Sequence, residues 1–209
     1  MRVTKPVLSV RERNRLSTWL SIHEAAARIT LEVGLANTTV HAITEAAGVS
    51  VRSFFNYFPI KEDAVLGIRP VSISQESLNE FQTGDEDALR RTVKLMVDAM
   101  RSLTLTGGWS PRQLKLIRKF PELGGRMTQH IDDAEKLILP FVTKQIKSDS
   151  SFAPKVIGAV PDDAALAIVM LAGITGRLAY NKNPSNFNIE PKSLDYAISI
   201  FKSAIEESR

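Results

Sequence analysis

TTVHAITEAAGVSVRSFFNYFPIKE, residues Thr38 to Glu62, is the stretch whose period decides how the remaining residues are read. Thr38 and Thr39 can each offer a side-chain oxygen to the free amides of a first turn, so a helix is expected from there, with Val40, Ile43 and Ala47 on one face. Gly48 stops it by accepting the left-handed conformation, and Ser50 is placed to cap a second helix. That helix runs Val51 to Phe58 and ends before Pro59. Phe54 and Phe58, four apart, pack down, whereas Val51, Arg52, Ser53, Asn56 and Tyr57 face outward. Two short helices with a tight glycine-containing turn form the helix-turn-helix pattern, whose second helix enters the DNA major groove. Arg52 is the only basic residue between Arg28 and Lys61, and a guanidinium matches guanine O6 and N7 bidentately.

Two short helices bury too little surface to stand alone. The missing cover lies immediately upstream, where Leu16, Trp19, Leu20, His23, Ala26, Ala27, Thr30 and Val33 make one helical stripe from Arg11 to a stop at Gly34. Met1 to Val10 has no period and is expected to be an arm; Arg11, Arg13 and Arg15 form either a solvated face or a DNA contact. The charge is placed accordingly: residues 1–61 hold eight Lys/Arg against four Asp/Glu, and the other 148 residues hold nineteen of each. The whole net charge of +4 thus falls on the part that contains the helix pair, as expected if that part meets phosphates.

Downstream, helical apolar spacing gives a fourth helix from Lys61, interrupted or bent near Pro70 and resumed to about Phe81, and a fifth from Asp87 to Thr106. A sixth starts at Ser110-Pro111, a seventh runs from Pro121 with a kink at Pro140, an eighth covers Ala164 to Asn181, and a ninth covers Ser193 to Glu206. No stretch alternates with strand period, so the fold class is all-α with about nine helices: a helix-turn-helix domain at 1–60 and a helical domain at 61–209. The eighth helix is apolar nearly all round and mixes small residues (Ala165, Ala172, Gly173, Gly176) with Val169. With Ile198, Phe201 and Ile205 of the ninth it is expected to form a four-helix interface with a second copy.

Together these residues identify a family. A first helix, then Thr38–Glu62, then an all-α remainder resembles the TetR (tetracycline repressor) family of bacterial transcriptional regulators, whose pattern is roughly Thr-x-x-x-Ile-Ala-x-x-Ala-Gly-Val-Ser-x-x-x-Leu-Tyr-x-His-Phe-x-x-Lys-Glu. The resemblance implies a homodimeric repressor that binds palindromic double-stranded operator DNA and is released by a small-molecule effector. It further implies that Val51, Arg52 and Ser53 face base edges, that Phe55, Asn56 and Tyr57 lie along the groove wall, and that Lys61 holds a phosphate. Thr39 and His41 come near the backbone. Phe55 stands where the family usually has Tyr and Tyr57 where it has His, so the backbone contacts are altered.

For an effector pocket, Met96, Met100, Trp109, Phe120, Met127 and Met170 are flexible or large apolar groups on helices, with Arg118, His130 and Asp133 as polar candidates. His23, His41 and His130 have no second ligand at metal spacing, and no nucleophile–base pair, phosphate-cradling loop or carboxylate pair appears, so neither cofactor, metal nor enzymatic activity is expected. The absence of cysteine, the lack of an apolar leader and the short apolar run Ala164–Leu178 lead to the expectation of a cytoplasmic protein without a membrane span. The competing reading is a helical protein-interaction module without DNA binding.

Overall fold

The computed structural model describes residues 9–149, 152, 160–182 and 191–206. Among them are ten helices and no strand: α1 (Val10–Val33), α2 (Val40–Ala47), α3 (Val51–Tyr57), α4 (Lys61–Leu66), α5 (Gln75–Thr83), α6 (Ala88–Arg101), α7 (Pro111–Lys119), α8 (Glu122–Ser148), α9 (Pro161–Lys182) and α10 (Pro191–Glu206). The all-α expectation holds, and the tenth helix comes from the expected interruption near Pro70: Gly67 in the left-handed region (φ +61°) ends α4, and Ser74 caps a separate α5. None of the described helices is long and apolar enough to cross a membrane. The chain divides into two units, Met1–Arg69 with Lys115–Leu123, and Pro70–Leu114 with Gly124–Arg209.

In the first unit, α1 begins in a capping box. The Ser9 hydroxyl accepts from the Glu12 amide at 3.2 Å, and the Glu12 carboxylate accepts from the Ser9 amide at 2.8 Å, so two orphan donors of the first turn are satisfied. The remainder of the expected N-terminal arm lies outside the described residues. The buried face of α1 is Trp19, Ile22, Ala25, Ala26, Ala27 and Thr30, while Leu20 and Val33 are exposed, so the stripe is turned slightly from the expected one to bring Ile22 inward. Against it pack Ile43 of α2, Phe54 of α3, Phe58 and, from α4, Ala64, Val65 and Leu66, all without solvent contact. Trp19 and Phe58 rings lie 5.3 Å apart and Phe54 and Phe58 rings 6.0 Å apart, so one aromatic cluster joins α1 to α3 and its C-cap.

Helix α4 belongs to this unit for a specific reason. The His23 ring nitrogen Nδ1 lies 2.8 Å from the Ala64 carbonyl near the end of α4, and the ring sits 2.7 to 2.8 Å from where a Cβ on Gly67 would be. A glycine there supplies both the positive φ and the room for the imidazole. Residues 61–69, assigned from sequence to the downstream domain, therefore cluster with the first three helices.

The second unit is built on α6, with α5 and α9 against it and α10 against α9. Arg91 of α6 is buried below the end of α5. Its guanidinium donates from Nε to the Phe81 carbonyl at 2.7 Å and from Nη2 to the carbonyls of Phe81 and Gln82, the latter at 2.8 Å. These are orphan acceptors of the last turn of α5, and the charge is further held over the rings of Phe81 and Phe152, 5.6 and 4.7 Å away. Arg90 pairs with Asp195, tying α6 to α10.

Candidate nucleic-acid interface

The two threonines that open the decisive stretch have different duties. Thr39 is the N-cap of α2, its hydroxyl accepting from the Ala42 amide at 3.1 Å. Thr38 turns inward, donates to the Gly34 carbonyl at 2.8 Å and pairs with the Thr30 hydroxyl at 3.0 Å, which fixes the α1–α2 turn. Gly48 (φ +66°) then ends α2, its amide reaching back to the Thr44 and Glu45 carbonyls. Ser50 caps α3 by accepting from the Ser53 amide at 3.0 Å, so α3 leaves the turn at a defined angle.

With Phe54 and Phe58 buried, the opposite side of α3 is fixed. Val51 (44% exposed), Arg52, Phe55 (53% exposed) and Asn56 are open to solvent, and Ser53 and Tyr57 are half-buried. One expectation changes accordingly. Ser53, expected to face base edges, is drawn into the capping turn, where its hydroxyl accepts from Ser50 at 3.1 Å. Phe55, expected along the groove wall, is the most exposed apolar residue of α3, its ring braced edge-on against Phe54 at 5.3 Å. Among the described residues no hydrogen bond or ion pair engages the Arg52 guanidinium, whereas Arg28 on α1 is paired with Glu32 at 3.3 Å. Arg52 therefore keeps all its donors for a partner. Thr39 and His41 of α2 are also exposed.

Lys61 differs from its expectation in one respect. Its ammonium donates to the carbonyls of Leu35 and Thr38, each at 2.9 Å, so the first residue of α4 clamps the α1–α2 turn. One of its three N–H donors remains. No sequence spacing could have signalled this clamp, because its partners lie 26 and 23 residues away.

Residues 22–66 match the family model of bacterial regulatory proteins, tetR family, a span that runs from within α1 to the last residue of α4. That span is a TetR-type DNA-binding domain. The helix-turn-helix unit of this chain is therefore similar to the N-terminal domain of bacterial transcriptional regulators of that family. No curated protein matches the chain. Among solved structures it is similar to a proposed TetR transcriptional regulator from Streptomyces avermitilis, at 16% identity over 88% of this chain and 97% of that one, with a TM-score of 0.33. It is likewise similar to a TetR transcriptional regulator from Rhodococcus sp. RHA1, at 17% identity over 90% and 96%, with a TM-score of 0.32.

The residues expected to line an effector pocket are not all brought together. Met96, Met100, Trp109 and His130 are buried in the second unit, and Met127 is half-buried there. Met170 is 50% exposed on α9, and Arg118 and Phe120 fall in the segment that clusters with the first unit, Arg118 exposed. Clefts of about 630 and 430 Å³ in the second unit are lined by other residues, around Pro140 and around Arg91.

The expected dimer stripe is corrected more sharply. Ala165, Val169, Ala172 and Ile198 are buried inside the subunit, because the small side of α9 is used for close packing within it. Gly173 is covered by the Glu135 carboxylate of α8, which occupies the space a Cβ would need. Gly176 and Phe201 are half-buried, and the Ile205 side chain lies outside the described residues. What α9 and α10 present outward instead is large and apolar: Leu166, Met170 and Ile174, with Tyr196 and Ile200.

Proposed function

We propose that this protein is a TetR-family transcriptional regulator, a cytoplasmic, dimeric repressor that reads a palindromic operator with α3 and is released by a small-molecule effector bound in the helices downstream of residue 69. The observation that carries the DNA reading is the outward face of α3, where an unpaired Arg52 stands beside Asn56, Val51 and Phe55 on a helix locked to its unit by two buried phenylalanines. An exposed cation free of intramolecular partners can take both acceptors of a guanine, while Lys61, Thr39 and His41 lie near enough to the helix pair to meet phosphates. DNA binding belongs in this reading to residues 1–60 with α4, and effector binding and dimerisation belong to the rest.

Dimerisation is supported by Leu166, Met170, Ile174, Tyr196 and Ile200, an apolar row that a second copy would cover by two-fold symmetry. Two α3 helices must then sit roughly 34 to 36 Å apart to enter successive major grooves. An effector that prefers the conformation with a different separation lowers operator affinity by its differential affinity for the two conformations. Met96, Met100, Trp109 and His130 supply a buried, largely apolar lining with one polar group for such a ligand. The test is a salt-dependent binding titration with DNA from immediately upstream of the protein's own gene, beside random DNA of equal length. Tight binding that needs a palindrome supports the proposal, and equal affinity for both DNAs at every salt concentration overturns it.

A further inference from the structure

We infer that Val51 and Phe55 form a thymine-reading row, so that each operator half-site carries a thymine whose 5-methyl group packs on the Phe55 ring, next to the base pair read by Arg52 and Asn56. The inference rests on the proposed DNA reading and specifies what that DNA contains. It begins with spacing. Val51 and Phe55 are four apart, as are Arg52 and Asn56, so the exposed face of α3 consists of two adjacent rows, one wholly apolar and one wholly polar. Both apolar side chains are about half open to solvent, at 44% and 53%, although the helix has a buried face available for such groups. A ring held out in this way is not a packing residue of its own subunit.

The ring is also fixed. Its edge-on contact with Phe54, at 5.3 Å, joins it to a side chain with no solvent exposure, so little conformational freedom is left to lose on binding. Phe55 has no hydroxyl with which to donate to a phosphate, and neither it nor Val51 carries charge. Of the groups that a major groove presents at base-pair edges, the 5-methyl of thymine is the apolar one. The polar row complements it: Arg52 matches guanine and Asn56 matches adenine, each bidentately. An apolar row flanked by an unpaired guanidinium fits DNA better than a protein surface, where a solvent-facing cation at the centre of the patch would lose its water without a stated partner.

The decisive experiment leaves the protein unchanged and edits single methyl groups in the operator. Each thymine of one half-site, and its symmetry mate, is replaced by deoxyuridine, and the affinity of the full-length protein is measured at fixed salt. Loss of one buried methyl contact is expected to weaken binding about four-fold per half-site at one thymine position, the equivalent of ~0.8 kcal/mol. Phe55→Ala, at an exposed position, is expected to lose this thymine-over-uracil preference while keeping the salt slope; Val51→Ala reduces the preference. Specific binding that tolerates uracil at every position overturns the thymine-reading row but leaves the DNA reading intact. A uracil effect that persists unchanged in Phe55→Ala also overturns it. Failure to prefer operator over random DNA overturns both, and the two failures are thereby distinguished.

Discussion

Replacing Lys61 by methionine keeps the aliphatic stem and removes the ammonium, and its effect should divide between folding and DNA binding. The ammonium makes two hydrogen bonds of 2.9 Å to the Leu35 and Thr38 carbonyls, and both of those residues are buried. Hydrogen bonds to a charged group contribute roughly 1.5 to 3 kcal/mol each. Because Lys61 itself is only half-buried, water can replace part of what is lost, so the expected destabilisation is about 2 to 3 kcal/mol. With a urea dependence of ~2 kcal/mol per molar, the midpoint should fall by about 1 M. Trp19 packs on Phe58 in this unit, so its fluorescence in a Trp109→Phe background, common to both proteins, reports the transition. The remaining N–H, if it holds a phosphate, makes a second contribution: the slope of log affinity against log salt should flatten by about 2 for a dimer, one phosphate per subunit. A midpoint displaced by less than about 0.2 M would refute the clamp. An unchanged salt slope would refute the phosphate contact.

Other perturbations test separate parts of the account. Arg52→Ala is expected to relax selection at one base position per half-site, by roughly 1 to 3 kcal/mol in selection experiments, and equal losses on operator and random DNA would contradict it. Phe54→Ala leaves a cavity in a site without solvent contact and should destabilise the first unit by about 3 to 5 kcal/mol in the same urea assay. Ile174→Glu, at a position 45% exposed on α9, should give a folded monomer in sedimentation, and a persisting dimer would move the interface elsewhere. Burial raises the Glu135 carboxyl above its ordinary value, against the opposing pull of Arg177. The folded state thus holds that proton more tightly than the unfolded chain, so stability begins to fall as pH rises through the unfolded value and the loss is complete above the folded one. Glu135→Gln should accordingly raise the melting temperature at about pH 8 and match the parent near pH 4, below the unfolded value.

The N-terminal unit was readable because its rules are local. Thr39, Gly48 and Ser50 cap and break helices within four residues of themselves, and the Phe54–Phe58 spacing alone distinguishes the inner face of α3 from the outer. The break near Pro70 was legible for the same reason. What escaped the sequence depends on contacts far along the chain. The Lys61 clamp joins residues more than twenty positions apart, and the inclusion of α4 in the first unit follows from the fit of His23 against Gly67. On α9, apolar residues occur on every side, so period could not tell which side meets its own subunit. Small residues read as room for a partner helix, yet Ala165 and Ala172 are buried in the subunit and Gly173 makes room for Glu135, leaving Leu166, Met170 and Ile174 outside. The same limit applies to Arg118 and Phe120, whose helical stripe gave no sign that their segment clusters with the first unit.

The central claim, that the outward face of α3 enters the major groove and that Arg52 reads a guanine there, is tested most directly by dimethyl sulfate protection of guanine N7 in the bound operator. The account predicts protection at one symmetry-related guanine in each half-site with the parent protein, and renewed reactivity at those two guanines alone with Arg52→Ala. Operator binding without any protected N7, or protection that survives Arg52→Ala unchanged, would contradict it.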